Sequence, residues 1–558
     1  MESKHFKSIY VFILLCLMVS CKKEEGDDFS LNLDKTDIEQ LVNKAYGYLQ
    51  PHEYSFVDPN NMAFGSVSGG DARLESSAGD EGYSYQFDIF QVTAVNEDLI
   101  RKWEVGYEGI HHCNNSIDSI DRTVLSDEVD ETLKTIKKAE LRFLRGFFYF
   151  ELAKVFGPEI PFYDENTPKD QTPPVDHAVW QDIENDLEFA AGNLPGTWEA
   201  GEEGRANLWA AKAFLAKAKL FQAGSNAVKY AEALTIFEEI IENGQTSKGD
   251  KYGLLTNFDD NFNVAFDNNA ESVFAEQSIL DGSGKHGNFG YILAYPYDDP
   301  YYVDAGDVPG GCCGFFSPTF SLVNSFKVDP AGLPFLDGSY NDTDLHNDMG
   351  VEPDAAFEAD AVTALDPRLD WTVGRRGIPY LDWGLHPGKS WFRDQTYSGP
   401  YSPMKNVYRK NDPTELQDYW GPGSGLNVPL MRFADVLLMT AECYAQAGAT
   451  QDLSKATQLV NQIRTRAENH TVPGSVANYN IGLYPTFSSE EEAMQAIMFE
   501  RKLELAMEGH RYFDLVRWGI AQEELEALIE HELAAGCGMY GTISGEILTS
   551  YFPIPAGQ

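Results

Sequence analysis

The sequence predicts a mostly α-helical protein: a scaffold of paired, repeat-like helices carrying one irregular, loop-rich aromatic lobe. Two observations lead there. Apolar residues recur at three- and four-residue spacing in an early and a late region, and this period vanishes from 272 to 429, where Gly, Pro, Asp and aromatics crowd together. Two helical stretches also close on the same tripeptide, Gln222-Ala223-Gly224 and Gln446-Ala447-Gly448, and each leads through a short polar link into a second amphipathic stretch.

Helices are expected over 96–120 and 131–156. The second carries Ala139, Phe143, Gly146, Phe147 and Phe150, and Gly157-Pro158 stops it. A helix over 206–223, with Ala211, Phe214, Leu215, Ala218 and Phe221 on one face, pairs with 227–242, which ends at Gly244. Late in the chain, 432–447 carries Val436, Leu437, Met439, Ala441 and Tyr444, with 453–467 as its partner. Helix–Gly-turn–helix units of about 34 residues with alanine at close contacts resemble tetratricopeptide repeats. Small residues let paired helices approach, and stacked pairs bury each other's apolar faces. An ordinary hairpin explains either pair alone; the shared tripeptide favours the repeat.

Residues 494–518 combine an apolar stripe (Ile497, Leu503, Leu505, Phe513, Leu515) with an ordered polar array. Glu500, Glu504 and Glu508 share a helix face by spacing, as do Asp514 and Arg517. Gly509 breaks the run, and Trp518-Gly519 ends it. The charges Glu500, Arg501, Glu504, Arg511, Asp514 and Arg517 are expected to form ion pairs and caps that lock the last repeat to its neighbours.

At 558 residues the chain can bury a large core, and 43% hydrophobic with 13% aromatic content marks a folded globule. A net charge of −45 argues against nucleic-acid binding, which needs a cationic footprint. Seven cysteines form no metal-site spacing. Cys113, Cys443 and Cys537 read as buried small residues, while Cys312-Cys313 reads either as a vicinal disulfide or as two separate small residues in a Gly-rich turn. At the N-terminus, Lys4 and Lys7 precede an apolar run from Ile9 to Val19 that is too short to span a bilayer. It ends in Leu17-Met18-Val19-Ser20-Cys21, which resembles a bacterial lipoprotein cleavage site with Cys21 as the lipidated residue. Lys22-Lys23-Glu24-Glu25-Gly26-Asp27-Asp28 then reads as a polar tether. Several acyl chains on one cysteine hold a protein stably at a membrane.

Catalytic motifs fail on context. Gly282-Ser283-Gly284-Lys285-His286-Gly287 fits G-x-G-x-x-G, but Pro296 and Pro300 interrupt the helix that must follow. Gly384-Leu385-His386-Pro387-Gly388-Lys389-Ser390 is one residue short of a P-loop. His111-His112-Cys113 has no ligand at i+4 and reads as ordinary helix contacts. No HExxH and no G-x-S-x-G occur. With 87 Asp and Glu, carboxylate pairs for glycoside hydrolysis carry no signal.

Glu500 to Gly519, ERKLELAMEGHRYFDLVRWG, resembles the C-terminal signature of the SusD/RagB family of outer-membrane nutrient-binding lipoproteins. The segments 103–116 (WEVGYEGIHHCNNS), 139–161 (AELRFLRGFFYFELAKVFGPEIP) and 432–441 (RFADVLLMTA), and the closing Phe552-Pro553-Ile554-Pro555, resemble further family motifs in matching order. The resemblance implies a signal peptide at 1–20, a lipidated acidic tether at 21–34, helical regions at 35–271 and 430–558, and a ligand lobe at 272–429. It implies a non-catalytic protein without cofactor or metal, lipid-anchored in the outer membrane and facing the exterior. Such a protein captures oligosaccharide and docks on a SusC-like TonB-dependent transporter.

The glycan site implied is built from an early loop, 66–87, with Asp71, Arg73, Tyr83 and Tyr85, and from the lobe, with Tyr295, Tyr297, Tyr301, Trp383 and Trp391. Sugar C–H faces pack on rings while carboxylate and guanidinium orient hydroxyls. The alternative for Trp383 and Trp391 is a place in the lobe's core. Two rival functions remain at this level: a secreted glycoside hydrolase, and a helical-repeat protein-interaction scaffold.

Overall fold

The computed structural model describes residues 30–50, 61–78, 80, 84–168, 171–283, 286–288, 290–297, 308–310, 313–417 and 421–558. The expected signal peptide and Cys21, together with Tyr83, Tyr301 and Cys312, lie outside the described residues. Within them, no helix is long and apolar enough to cross a membrane.

Short polar side chains start the long helices by accepting the first orphan backbone N–H groups. Asp34 and Asp37 form a capping box on Lys35–Gly47. Asn96 caps Glu97–Asp121, and Asp130 caps Glu131–Phe156, which Gly157 (φ 86°) ends. Asn207 and Asn226 cap Leu208–Phe221 and Ala227–Asn243, while Asp452 and Ser489 cap Leu453–Glu468 and Glu490–Glu504. Three long helices lie outside the expected stretches, Lys35–Gly47, Trp180–Asn193 and Ala521–Ala534, as do short ones such as Phe320–Ser325.

Leu208–Phe221 packs on Ala227–Asn243, Phe433–Gln446 on Leu453–Glu468, and the second pair stacks on the first through Phe433–Gln446 against Ala227–Asn243. The shared tripeptide has a backbone cause, because Gly224 (φ 50°) and Gly448 (φ 56°) both turn in the left-handed region. A Cβ on Gly448 would sit 3.2 Å from the Ala227 Cβ, so this glycine is also a contact between the pairs.

The loop-rich lobe leaves and re-enters this frame at one place, where Ser272–Glu276 pairs antiparallel with Val428–Arg432. The other paired strands between them are two to four residues long. Aromatic burial takes the place of ladders: Phe316, Phe320, Tyr380, Trp391 and Tyr401 are all buried.

Charged groups do the joining. Five carboxylates (Glu271, Asp366, Glu500, Glu504, Glu508) meet five cations (Arg368, Lys405, Arg432, Arg464, Arg466) in one buried, formally neutral network. Glu504 accepts from Arg368 at 3.1 Å and from Arg432 at 3.1 Å, and it also pairs with Arg466. Burial pushes the Glu504 carboxyl up, and Arg466, Arg432 and Arg368 more than reverse this, holding it at about 2. A second array ties the helix pairs together. Arg501 binds Asp435 at 2.6 Å and Asp514 at 2.8 Å, Lys217 binds Asp435 at 2.8 Å, and Arg517 bridges Asp514 and Glu442. Arg511 is more peripheral, with the half-exposed Glu524 at 2.9 Å.

Removing one member of a buried pair leaves its partner charged and unsolvated. Glu504→Ala is expected to lower stability by about 3–5 kcal/mol. Asp118→Ala, in the exposed Arg122–Asp118 pair, should cost roughly 0–1 kcal/mol. Urea denaturation of both variants separates the two scales; equal losses would remove the network's structural role.

Candidate functional site

The early loop does not lie open over the frame; its first half runs through the core. Residues 61–76 are buried. Gly65 touches the signature segment directly, since a Cβ there would stand 1.9 Å from the Gly509 carbonyl oxygen. Gly509 itself sits at φ 78°, and its N–H donates to Ser66 Oγ at 2.9 Å. These contacts give the Glu-Gly-His-Arg break in the signature a tertiary cause.

Asp71 and Arg73 therefore stand elsewhere than a ligand-facing reading puts them. Asp71 is buried, accepts the Met507 N–H at 2.9 Å, and is pushed up to about 6 by burial. Arg73 is fully buried, pairs with Glu532, and donates to the carbonyls of Ser398 (2.9 Å) and Pro318 (3.2 Å). Both side chains are committed inside the protein, where they hold loop, lobe and C-terminal helices together. Tyr85 is half-buried and hydrogen-bonds Thr542.

Beyond Arg73 the loop climbs to the surface. Asp88 accepts the N–H groups of Leu74 (2.6 Å) and Glu75 (3.2 Å), and Tyr397 donates to Glu75 at 3.0 Å. Ser77 N–H donates to Asp80 at 2.7 Å, and Asp80 pairs with Arg393 of the lobe. Arg393 also donates to Ser76 Oγ at 3.1 Å and lies over the half-buried Tyr297 ring at 5.6 Å. Tyr297 N–H donates to the Trp391 carbonyl at 3.2 Å. Early loop and lobe thus meet at Ser76, Asp80, Tyr297 and Arg393.

A row of rings runs back from this junction. Tyr295, fully buried, meets Tyr408 edge-on at 5.1 Å, and Tyr408 meets Trp383 edge-on at 5.7 Å. Trp383 is half-buried, donates Nε1–H to the Tyr408 carbonyl at 3.0 Å, and carries the Lys410 ammonium over its ring at 5.5 Å. Two rings of this region are half-exposed with a cation at the face: Trp383 at the end of the row, and Tyr297 at the junction. Tyr295 and Trp391 belong to the core instead. Trp391 is buried against Tyr380 (5.3 Å) and His386 (4.9 Å), and burial holds that histidine neutral, at about 3. Arg393, Asp80, Tyr408 and Lys410 escaped the sequence reading; the cation next to an aromatic pair in Trp391-Phe392-Arg393 was the available signal.

The remaining motifs resolve locally. Lys389 pairs with Glu352 at 2.6 Å, away from any phosphate nest. His112 contacts the Leu41 carbonyl at 2.9 Å. Cys113, Cys443 and Cys537 are free and buried, whereas Cys313 is disulfide-bonded to a cysteine outside the described residues.

Family comparison decides the lineage. The model of the SusD family matches residues 270–558, and a second model, described as starch-binding associating with outer membrane, matches 23–220. The chain belongs to the SusD family. A SusD-like protein of Bacteroides ovatus is 25% identical over 445 residues, covering 78% of this chain and 68% of that protein. The solved SusD superfamily protein of Bacteroides vulgatus aligns with TM-score 0.67 at 22% identity, covering 94% and 96% of the two chains. A laminarin binding SusD-like protein aligns with TM-score 0.64 at 22% identity, covering 89% and 94%. These structural likenesses show a shared SusD-like fold.

The loop's anchor gives a pH prediction. Burial pushes the Asp88 carboxyl up to about 8, against the opposing pull of the Leu74 N–H. Its folded value lies above the unfolded carboxylate value of about 4. The stability tied to its proton is complete below that value and is lost as pH rises through about 8. Through this group wild-type stability should fall between about pH 4 and 8 and level off above, and Asp88→Asn should flatten that slope in urea titrations; an unchanged slope would reject the assignment.

Proposed function

We propose that this SusD-family chain is a non-catalytic, surface-exposed lipoprotein that binds oligosaccharide and delivers it to a SusC-like TonB-dependent transporter. One observation carries the binding reading. The lobe presents two half-exposed rings, each with a cation beside it: Tyr297 under Arg393, where the early loop meets the lobe, and Trp383 under Lys410. Rings receive the apolar faces of sugars, while Arg393, Asp80 and Lys410 supply the polar groups that orient hydroxyls. Trp383 is held by its indole hydrogen bond and the edge-on Tyr408, and Tyr297 by its backbone bond to Trp391 and by Arg393 over its ring, so little conformational freedom is lost on binding.

The family description of outer-membrane association supports the location, and the sequence around Cys21 supports lipid attachment there with the protein facing outward. In this reading 35–271 and 430–558 form the frame and 272–429 the ligand lobe. The return of the lobe on Val428–Arg432 beside Ser272–Glu276 supports that division.

Tyr297→Ala and Trp383→Ala are each expected to weaken oligosaccharide binding by roughly 1–3 kcal/mol, by analogy with base–aromatic stacks, with little change in melting. Trp391→Ala should instead destabilise by about 3–5 kcal/mol, as for other emptied aromatic core sites. Calorimetry against a polysaccharide panel, beside a reducing-sugar release assay, checks this. Full-strength binding by both Tyr297→Ala and Trp383→Ala would move the site elsewhere, and sugar release would favour a hydrolase.

Cys21→Ala should release the protein from membranes in cell fractionation. Unchanged membrane retention of that variant would reject the anchor.

A further inference from the structure

A second cleft lies on the helical frame, with no residue of the 272–429 lobe in its lining. It measures about 360 Å³, within the size range of small-molecule sites. Its walls are Trp180, Phe221, Phe513 and Tyr551, with Gln222 and Ser550 at the edge. Four elements converge to make it: the ends of Glu131–Phe156 and Leu208–Phe221, the start of Trp180–Asn193, and Arg511–Trp518, all beneath the C-terminal strand of chain at Ser550-Tyr551. Tyr551 is 45% exposed and stacks its ring edge on Gly157, where a Cβ would come within 3.0 Å.

Several neutral polar atoms here have no protein partner among the described residues. The Trp180 indole N–H, the Tyr551 and Ser550 hydroxyls and the Gln222 Oε1 make no hydrogen bond among the described residues, although Gln222 Nε2 is spent on Glu184 (2.7 Å) and the Ala218 carbonyl (3.0 Å). The two cations in the lining are already paired. Lys154 lies 2.6 Å from Glu151 and over the Phe513 ring at 4.7 Å, and Arg517 is held by Asp514 and Glu442. Half-exposed rings facing free donors and one free acceptor, with charge satisfied, match a ligand with apolar C–H faces and many hydroxyls.

We infer that this cleft is a second carbohydrate site, taking one end of an uncharged oligosaccharide through a pyranose ring stacked between Trp180 and Tyr551. It rests on its own residues and stands whether or not the lobe binds sugar.

The full mature chain labelled with fluorotryptophan provides the test, the Trp180 fluorine signal being assigned with Trp180→Phe. Maltohexaose, laminarihexaose, cellohexaose and mannohexaose are titrated to millimolar concentration, with an oligogalacturonate as the acidic counterpart. At least one neutral sugar should move the Trp180 signal saturably. The shift should persist in a Tyr297→Ala/Trp383→Ala variant and weaken several-fold in Tyr551→Ala and in Ser550→Ala, whose exposed side chains leave the melt unchanged. Failure of the lobe reading alone leaves the Trp180 shift intact. No shift with any neutral sugar, a shift only with oligogalacturonate, or loss of the shift in the lobe variant would each overturn the inference.

Discussion

Everything else in this protein leans on the buried ionic network around Glu504. An irregular lobe makes few backbone ladders, so something other than sheet pairing must hold it to the helices. Glu500 and Glu504 on the last turns of Glu490–Glu504, with Glu508 in the turn that follows, supply the acceptors, and the cations that answer them come from distant parts of the chain: Arg368 and Lys405 from the lobe, Arg432 from its closing strand, Arg464 and Arg466 from Leu453–Glu468. Desolvating ten charges is costly, and the cost is offset only because the group is neutral and closely hydrogen-bonded. Phe258 and Phe262 cover it, with Lys405 4.8 Å and 5.0 Å from their ring centres and Arg466 4.8 Å from the Phe258 ring. Such a network tolerates one arrangement, because any shift of the lobe strands a charge.

The same segment positions the early loop. Just after Glu504 the backbone turns through Met507 (φ 66°) and Gly509 (φ 78°). The amides exposed by that turn are taken by Asp71 and Ser66. The loop is pinned at its root by the signature helix, then by Arg73 on Glu532 and Asp88 on Leu74 and Glu75, before it reaches Arg393. A surface junction of two irregular segments is rigid here because its roots are buried.

Much of the frame was legible in the sequence because local rules govern it. The 131–156 helix was read to the residue, since Asp130 caps it and Gly157 ends it. The Gln-Ala-Gly closures held because a left-handed turn needs glycine wherever it occurs. The 3.6-residue period placed Glu500 and Glu504 on one helix face, but the expected run to Glu508 fails: the helix ends at Glu504, where Asp71 and Ser66 take the amides of the Met507–Gly509 turn. The candidate site was legible only as a region. Trp383 and Trp391 are eight residues apart in a similar aromatic context, yet one is half-exposed beside Lys410 and the other is packed on His386 and Tyr380.

The difference is one of range. Sequence by itself determined most helix ends, the repeat turns and the family, since each is written in residues close along the chain; the end of Glu490–Glu504 was set by the buried early loop instead. Tertiary structure alone decided which charges pair, because Arg73 finds Glu532 across 459 positions and Arg368 finds Glu504 across 136. It also decided that Asp71 and Arg73 serve the fold, while Tyr297 with Arg393 and Trp383 with Lys410 are left at the surface. In a segment without regular hydrogen bonding no period assigns a side chain to inside or outside; burial there is set by whichever distant surface the chain meets.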